Sequence, residues 1–392
     1  MRFDTTVAMR WPKIATERLR FFRPRFCPWS DCPQHTRRSA GFSFVHHGAY
    51  ATRRRSRIPR FRCRACNRTF SRQSFAVSYY LKRPELLVPI AAGLQAGCAH
   101  RQLARTLGCA PSTVTRLSAR LGRHALLLSA HALRHLEGTL TETVVLDHFE
   151  TFEFSQDFPF GVATPVGHDS WYLYGVDPAP HPRTGRMSPV QKDRLLQRPR
   201  RKLQGGYEAS SRRIFELLLS LAPESDGLDL VSDGHSAYDR ASNAFADRIR
   251  LQRFPNPRRG PKGSQRTPEM LARDRAMFPV DQLHALLRHS LAHHRRETIA
   301  FGRRINALAE RLFLAMVWRN FVKWRSERRP DRSTPAMRLG LTEERWNWRR
   351  VFARRLFPGR ERLPKVWHEL YDRTWTTPVL GFNAPHNLIH AY

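Results

Sequence analysis

The sequence predicts a mixed α/β fold, and three observations favour it. Two close pairs of cysteines lie in a basic N-terminal head, apolar residues at helical spacing follow between residues 84 and 122, and short apolar runs that end in aspartate begin near residue 140. A long helical region and a basic, tryptophan-rich tail complete the chain. We therefore predict four regions: a ribbon at 1–78, a three-helix domain at 79–138, a sheet-containing domain at 139–322 and a helical tail at 323–392.

The charge balance of the chain is strongly basic. Its 392 residues include 68 Lys and Arg against 33 Asp and Glu, a formal net charge of +35. This excess is far beyond what solubility needs and predicts a polyanionic partner, most often nucleic acid. No apolar run reaches the length of a membrane span, and residues 1–10 lack the apolar segment of a signal peptide. We therefore expect a soluble, cytoplasmic protein with no membrane partner.

The cysteine spacing in the head is typical of a metal site. A cytoplasmic protein does not use cysteines as a disulfide framework, so close pairs are candidate metal ligands. The two pairs are Cys27 with Cys32 and Cys63 with Cys66. Two such pairs can close a tetrahedral site, and one structural Zn²⁺ would supply the folding energy that so polar a segment lacks. Three nearby histidines, His35, His46 and His47, are alternative ligands.

Residues 84–122 have the pattern of a helix-turn-helix. A first helix ends near Gly97, a second covers residues 101–108, and Pro111 opens a third. Apolar positions of the third helix face inward, and its outer face would enter the major groove of DNA in the usual docking. The predicted contacts on that face are Ser112, Thr113, Thr115, Arg116 and Arg120. An ordinary three-helix cluster is the alternative.

A basic loop in the head is a second candidate for DNA contact. It contains Arg53, Arg54 and Arg55, which we expect to touch phosphates. A charge run of this kind can also be no more than a solvated arm, so the expectation depends on the rest of the head binding DNA.

Strands dominate from residue 143 onward. The predicted elements are three strands at 143–147, 160–166 and 170–176, a helix at 214–221 and a further strand that begins at 228. Residues 177–210 and 254–270 are rich in Pro, Gly and Arg, and we predict that they are exposed insertions. Three neighbouring strands, a helix and another strand, in that order, are typical of a ribonuclease-H-like core.

Two of these strands end in a carboxylate, Asp147 and Asp233. Pairing of the strands would bring the carboxylates together, where they repel unless a proton or a cation lies between them. Paired aspartates that bind Mg²⁺ are the usual apparatus for cutting and joining phosphodiesters. The alternative is that both residues only cap strand ends. The following helices offer a third carboxylate, Asp281 or Glu297, each with an arginine seven residues later.

Four stretches of this half resemble successive blocks of bacterial insertion-sequence transposases of the DDE class. They are residues 171–177, 230–238, 280–288 and 296–301. The branch of insertion element one is the most similar, because it also has a zinc ribbon and a helix-turn-helix ahead of its catalytic domain. The resemblance covers roughly residues 25–322 and depends on the order of the blocks.

The resemblance implies a ribonuclease-H-like catalytic domain with Asp147, Asp233 and Asp281 as its acids. The family has glutamate at the third position, so Glu297 remains the alternative there. It also implies two Mg²⁺ or Mn²⁺ ions in the catalytic site, double-stranded DNA as partner, both as element ends and as target, at least a dimer on DNA, and a place at the bacterial nucleoid. We therefore expect a transposase that cleaves and transfers DNA strands. A non-catalytic DNA-binding regulator derived from such an enzyme, and a structure-specific nuclease, are the alternatives.

Three further side chains near the predicted acids could orient phosphate. They are His148, His235 and Arg288. Lone residues of these types more often serve the structure of the protein, which is the alternative.

The tail, residues 323–392, interleaves tryptophan with arginine. The tryptophans are Trp324, Trp346, Trp348, Trp367 and Trp375. This composition suits either an appendage for phosphate contact or dimerisation, or a packed helical cap.

Overall fold

The computed structural model describes residues 22–36, 41–52, 55–197, 206–258, 260–261, 263–295, 298–328 and 331–377. The fold is mixed α/β, as the sequence predicts. Within the described ranges, no helix is both long enough and apolar enough to cross a membrane.

The head begins with a small antiparallel ribbon. Its elements are α1 (Pro33–Thr36), β1 (Phe44–Thr52), β2 (Arg55–Cys63) and β3 (Thr69–Ser71). β2 lies in the middle and pairs with β1 and β3. The ribbon has its own apolar cluster, in which Phe61 and Phe70 stack with ring centroids 5.7 Å apart beside the buried cysteines.

Three helices follow: α2 (Leu87–Gln95), α3 (His100–Thr106) and α4 (Pro111–Leu133). Pro111 starts α4 at the position where a helix tolerates proline best, as predicted. The helix is much longer than the helix-turn-helix pattern required. From Leu117 onward every residue of the helix except the half-buried His131 is buried, which is typical of a helix in the centre of a core.

The remaining half contains a second sheet and the helices around it. Its strands are β4 (Val144–His148), β5 (Thr151–Phe152), β6 (Pro159–Gly167), β7 (Asp177–Pro180), β8 (Leu228–Ser232) and β9 (Ile249–Arg253). Its helices are α5 (Pro189–Leu196), α6 (Gly206–Leu219), α7 (Ser236–Ser242), α8 (Pro268–Ala276), α9 (Phe278–Ser290) and α10 (Ile305–Val317). A π-helical turn, Trp318–Val322, continues α10.

The strand order of this sheet is β5-β6-β4-β8-β9, and β7 also pairs with β6. β6 is antiparallel to β4, β5 and β7, whereas β8 is parallel to β4 and β9 is parallel to β8. The buried runs of β4 and β8 are Val- and Leu-rich, as expected of parallel strands covered on both sides. The first, second and last predicted strands are therefore confirmed, each within one residue of its predicted start.

The third predicted strand, 170–176, is wrong. Only one isolated bridge, Leu173 to Val166, lies in that range, and the strand that pairs with β6 is β7. The predicted insertion therefore begins within the sheet, because residues 177–179 are buried there. The buried Asp177 has a charged partner, because its carboxylate accepts two hydrogen bonds from Arg213 of α6. An aspartate in a Pro-rich run is typical of a loop, so the local sequence does not indicate a strand at Asp177. Its partner, Arg213, lies on a helix more than thirty residues later in the chain.

The tail packs on the body of the protein. It contains α11 (Pro335–Arg338), α12 (Trp348–Val351) and α13 (Lys365–Asp372). One apolar cluster runs from Val77 to Tyr371 and includes Trp346, Trp348 and Trp367. The described part of the tail therefore packs on this core. The predicted divisions at 138 and 322 do not divide this core.

Helices α4 and α10 pack closely against each other. Gly122 faces the main chain of Glu310, and a side chain at this position would overlap it. The Glu310 carboxylate is buried and accepts hydrogen bonds from Arg123 at 2.9 Å and from Arg373 at 2.9 Å. Three segments far apart in sequence, α4, α10 and the end of α13, thus share one buried ionic group.

We expect Gly122→Ala to destabilise the protein by about 1–3 kcal/mol, because the added methyl group would overlap the Glu310 backbone, which cannot rotate away. Gly93→Ala is the matched control, since the methyl group there meets only the flexible end of Leu103 and alanine improves helix propensity. Urea denaturation of both variants measures the difference. Equal losses in the two variants would contradict the close packing of α4 on α10.

Candidate active site and metal centre

β4 and β8 bring the first two predicted acids together. In their parallel register Leu146 lies beside Ser232, so Asp147 and Asp233, the next residues, occupy adjacent strand positions. Neighbouring strands are about 4.8 Å apart, which places the two carboxyl groups at one edge of the sheet. Asp147 lies within β4, one residue before its end, whereas Asp233 is the first residue after β8.

Gly234 makes the turn that orients Asp233. Its φ of +87° is in the left-handed region, and a Cβ at this position would lie 3.2 Å from Pro255. The Asp233 carboxylate accepts a hydrogen bond from the His235 main-chain N–H, and the His235 ring caps α7 by accepting from Ala237. The carboxylate is therefore held at the strand exit by local chemistry that the Asp-Gly-His sequence provides.

Asp281 lies in the first turn of α9, a helix that packs against β4 and β6. Its carboxylate accepts two hydrogen bonds from Arg273 of α8, that from Nη2 being 3.4 Å long. The side chain of Arg273 is 15% exposed and that of Asp281 is 41% exposed. Asp281 thus carries an ion pair of its own. Its alternative, Glu297, lies outside the described residues.

Asp147 is the electrostatic centre of this group. Burial raises the pKa of its carboxyl to about 7, and the negative charges of Asp233 and Asp281 add to the increase. A hydrogen bond from the His148 N–H and the charge of Arg273 act in the opposite direction. Repulsion of a buried carboxylate by neighbouring carboxylates is the property expected of a site that binds cations.

Two further side chains, Tyr238 and His284, lie beside the Asp147 carboxylate. The Tyr238 hydroxyl donates to Oδ1 of Asp147 at 3.4 Å and lies 2.8 Å from Nδ1 of His148. His284, one turn after Asp281 on α9, has its Nδ1 3.6 Å from Asp147 Oδ2 and its Nε2 2.8 Å from the Thr164 hydroxyl. The sequence pattern did not indicate these roles of Tyr238 and His284, although both residues lie in stretches that carry the family resemblance.

The residues predicted to orient phosphate are used within the fold. His148 is buried and its ring lies 4.0 Å from that of Tyr207. Arg288 lies over the Phe149 ring at 4.5 Å and donates to the Glu150 main-chain oxygen. His235, the third, is the residue that caps α7.

The four cysteines of the head form the second site. Their sulfur atoms all lie within 4.8 Å of one another, and among the described residues no other group of three or more possible ligands is gathered so closely. The Sγ atoms of Cys27 and Cys66 are 3.8 Å apart, as are those of Cys32 and Cys63. A tetrahedral site with Zn–S bonds of about 2.3 Å has sulfurs about 3.8 Å apart, so the cluster fits such an ion. These cysteines can bind a structural metal such as zinc.

The surroundings of the cysteines raise the pKa of two of the thiols and lower the pKa of a third. Burial raises the pKa of the Cys27 thiol and of the Cys32 thiol. Burial also acts on Cys66, but hydrogen bonds from the main chain and side chain of Arg68 outweigh it and bring its pKa to about 7. Of the alternative ligands, His35 instead has its Nδ1 2.8 Å from the Cys27 main-chain oxygen.

The predicted DNA-binding face is exposed at the start of α4. Ser112, Thr115 and Arg116 are exposed there, and Thr113 is half-buried. Arg120 does not belong to this face, which corrects the prediction: it is buried, and its guanidinium donates to the main-chain oxygens of Val77 and Tyr79. Helical spacing placed Arg120 outside, but the chain before α2 folds back over that side of α4. Arg53 and Arg54, and the side chain of Arg55, lie outside what the structure describes.

The chain matches no protein-family model, and a search of the curated proteins found no match either.

We expect the purified protein to hold one zinc ion, and Cys63→Ser to lose it, because serine is a far weaker ligand than thiolate in a four-cysteine site. Elemental analysis, and the absorption of a cobalt-substituted sample, measure the metal content and its thiolate ligands. Cys98→Ser is the matched control, since Cys98 lies outside the cluster. Full zinc content in Cys63→Ser would contradict the assignment.

We expect Asp147→Asn to stabilise the protein at pH 8 by on the order of 2 kcal/mol in buffer without added divalent cations. The folded-state pKa of Asp147, about 7, lies above the ordinary value of 3.8, so the charged carboxylate opposes folding above pH 7 and that cost disappears as the pH falls toward 4. Urea denaturation at pH 5 and pH 8 should therefore show a difference between variant and wild type at pH 8 that shrinks at pH 5. Asp229→Asn is the control, because Asp229 is exposed and paired with Arg250. Destabilisation of Asp147→Asn at pH 8 would refute the prediction.

Proposed function

We propose that this protein is a transposase: it binds the ends of an insertion sequence and catalyses metal-dependent cleavage and transfer of DNA strands. One observation carries the proposal. Asp147 and Asp233 lie at adjacent positions of two parallel strands, and Asp281 on the next long helix is near enough to raise the pKa of Asp147. The same three acids are those that the family resemblance implies.

The sheet supports a ribonuclease-H-like catalytic fold. Four strands come first in the chain, and β6 is antiparallel to the other three, β4, β5 and β7. Helices α5 and α6 follow, and then β8 and β9 extend the sheet in parallel on the other side of β4. The acid-bearing strands are the central pair, and a long helix after the last strand carries the third acid. This is the arrangement in which such a fold would gather its metal ligands.

The proposed reaction would use two divalent cations, Mg²⁺ or Mn²⁺. When bound, such ions activate the attacking water or 3′-hydroxyl and stabilise the leaving oxygen. Asp147 and Asp233 would hold them through oxygen atoms, and Asp281 would join once Arg273 releases it. Tyr238 would keep the Asp147 carboxylate oriented through its hydrogen bond.

The proposed DNA-binding surface lies on the zinc ribbon and on helices α3 and α4. The net charge of +35 suits a nucleic acid partner, and Arg101, Arg105 and Arg116 are exposed on α3 and α4. We propose that α4 enters the major groove as the recognition helix of a helix-turn-helix and that the zinc ribbon contacts the flanking DNA. Bringing two ends together requires two active sites, so we propose at least a dimer on DNA, associated with the bacterial nucleoid.

We expect Asp147→Asn and Asp233→Asn each to reduce both nicking and joining roughly a thousandfold or more, while DNA binding is kept, because these carboxylates would hold the ions and not the DNA. The assay uses DNA that carries the flanking ends of the element, with Mg²⁺ or Mn²⁺, and a mobility-shift measurement of binding. Asp281→Asn and Glu297→Gln compared in parallel identify the third acid. Asp229→Asn, on β8 but paired at the surface, is the control and should remain active.

Each contradicting outcome has a distinct meaning. If the wild-type protein binds the ends but never cuts them with either ion, the protein is a DNA-binding regulator. If it cuts but never joins, it is a nuclease. If Arg116→Ala leaves the affinity for the ends unchanged, α4 is not the recognition helix.

A further inference from the structure

His284 contacts the proposed catalytic centre from the same helix face as Asp281. The two residues are three positions apart on α9, so their side chains project to the same side. The His284 side chain is 15% exposed and bridges two strands: Nδ1 faces Asp147 of β4, and Nε2 contacts Thr164 of β6. Asp147 and Thr164 are direct partners in the β4–β6 register.

The hydrogen bonds around Thr164 determine which ring nitrogen carries a proton. The Thr164 hydroxyl lies 2.9 Å from the main-chain oxygen of Asp147, and a carbonyl oxygen can only accept, so the single hydroxyl proton is used there. Toward His284 the same oxygen must accept, which requires a proton on Nε2. In the neutral ring Nδ1 then presents a lone pair to the Asp147 carboxylate.

The distance between Nδ1 and the Asp147 carboxylate fits a shared cation better than a hydrogen bond. At 3.6 Å the two atoms are too far apart for a hydrogen bond. Two atoms that each bind one ion at about 2.1 Å lie at most about 4.2 Å apart, so both can be ligands of the same ion. A ligating histidine also normally donates its other N–H to a protein acceptor, which is the part that Thr164 plays.

We propose that His284 Nδ1 is a metal ligand alongside Asp147, so that the site has a mixed nitrogen and oxygen ligand set and prefers Mn²⁺ to Mg²⁺. This inference rests on the proposed function, because it concerns the same catalytic centre. Imidazole binds transition-metal ions well, whereas Mg²⁺ prefers oxygen ligands. The pair Asp281 and His284 would then supply two ligands from one helix turn. The nitrogen ligand is a departure from an all-carboxylate site.

The test measures Mn²⁺ bound to the full-length, zinc-loaded protein by electron paramagnetic resonance. Spin-echo modulation should show a directly coordinated ¹⁴N nucleus in the wild type, and His284→Ala should lose it together with at least tenfold in Mn²⁺ affinity. Thr164→Val, of nearly the same shape, should weaken Mn²⁺ binding about tenfold by releasing the ring. His289→Ala, exposed on the same helix, is the control and should bind as the wild type does.

The outcomes separate this inference from the proposed function. Mn²⁺ binding that is lost in Asp147→Asn but shows no ¹⁴N coupling, or is unchanged in His284→Ala, overturns the role of His284 and leaves the carboxylate site standing. Absence of any Mn²⁺ binding that depends on Asp147 overturns both. Should His284→Ala fail to fold, as its thermal transition would show, the ¹⁴N signal of the wild type and the Thr164→Val affinity decide the matter.

Discussion

The buried carboxylate of Glu310 is the contact on which the arrangement of the whole molecule depends. It lies where α4 crosses α10, and its partners are Arg123 from the head and Arg373 from the tail. Removal of one partner of such a group leaves a buried charge without compensation, which costs about 3–5 kcal/mol. Because Gly122 lets the two helices approach to backbone contact, the ionic group and the close packing depend on each other. The head, the sheet-bearing half and the tail are therefore held as one body at this point.

The candidate site differs from the Glu310 contact, because its neighbouring charges have the same sign and repel, whereas those around Glu310 attract. The charges of Asp233 and Asp281 add to the increase in the pKa of the buried Asp147 carboxyl, and the fold supports these carboxylates with groups that are themselves fixed by packing. Tyr238 is buried and Arg273 is largely covered, so both act on the carboxylates from rigid positions. Repulsion between these carboxylates lowers the stability of the folded protein, but it also concentrates negative charge at one edge of an otherwise basic protein. This is the pattern expected of a functional site.

Sequence patterns predict this protein well where the determining forces are local. The Asp-Gly turn after β8, the proline that opens α4 and the paired cysteines each follow from two to six consecutive residues. Sequence patterns fail where a segment that is distant in the chain determines the local structure. Arg120 has the spacing of an outer-face residue but is covered by the chain around Val77. Residues 177–180 have the composition of a loop but pair with β6, and Arg213 binds the Asp177 carboxylate there. The spacing of His284 to Asp281 is visible in the sequence, but nothing local indicates that Thr164 orients its ring. The third acid at Asp281 remains a prediction.

The contact between tail and ribbon joins segments that are more than three hundred residues apart in sequence. The Phe357 ring lies 5.3 Å from Phe26, and the Arg360 guanidinium lies 3.9 Å above the same Phe26 ring. A ribosome delivers Phe26 long before Phe357, so the ribbon cannot make these contacts with the tail until residues 357–360 have been synthesised. A nascent chain that already carries the four clustered cysteines therefore does not yet have the contacts that orient the ribbon in the folded protein.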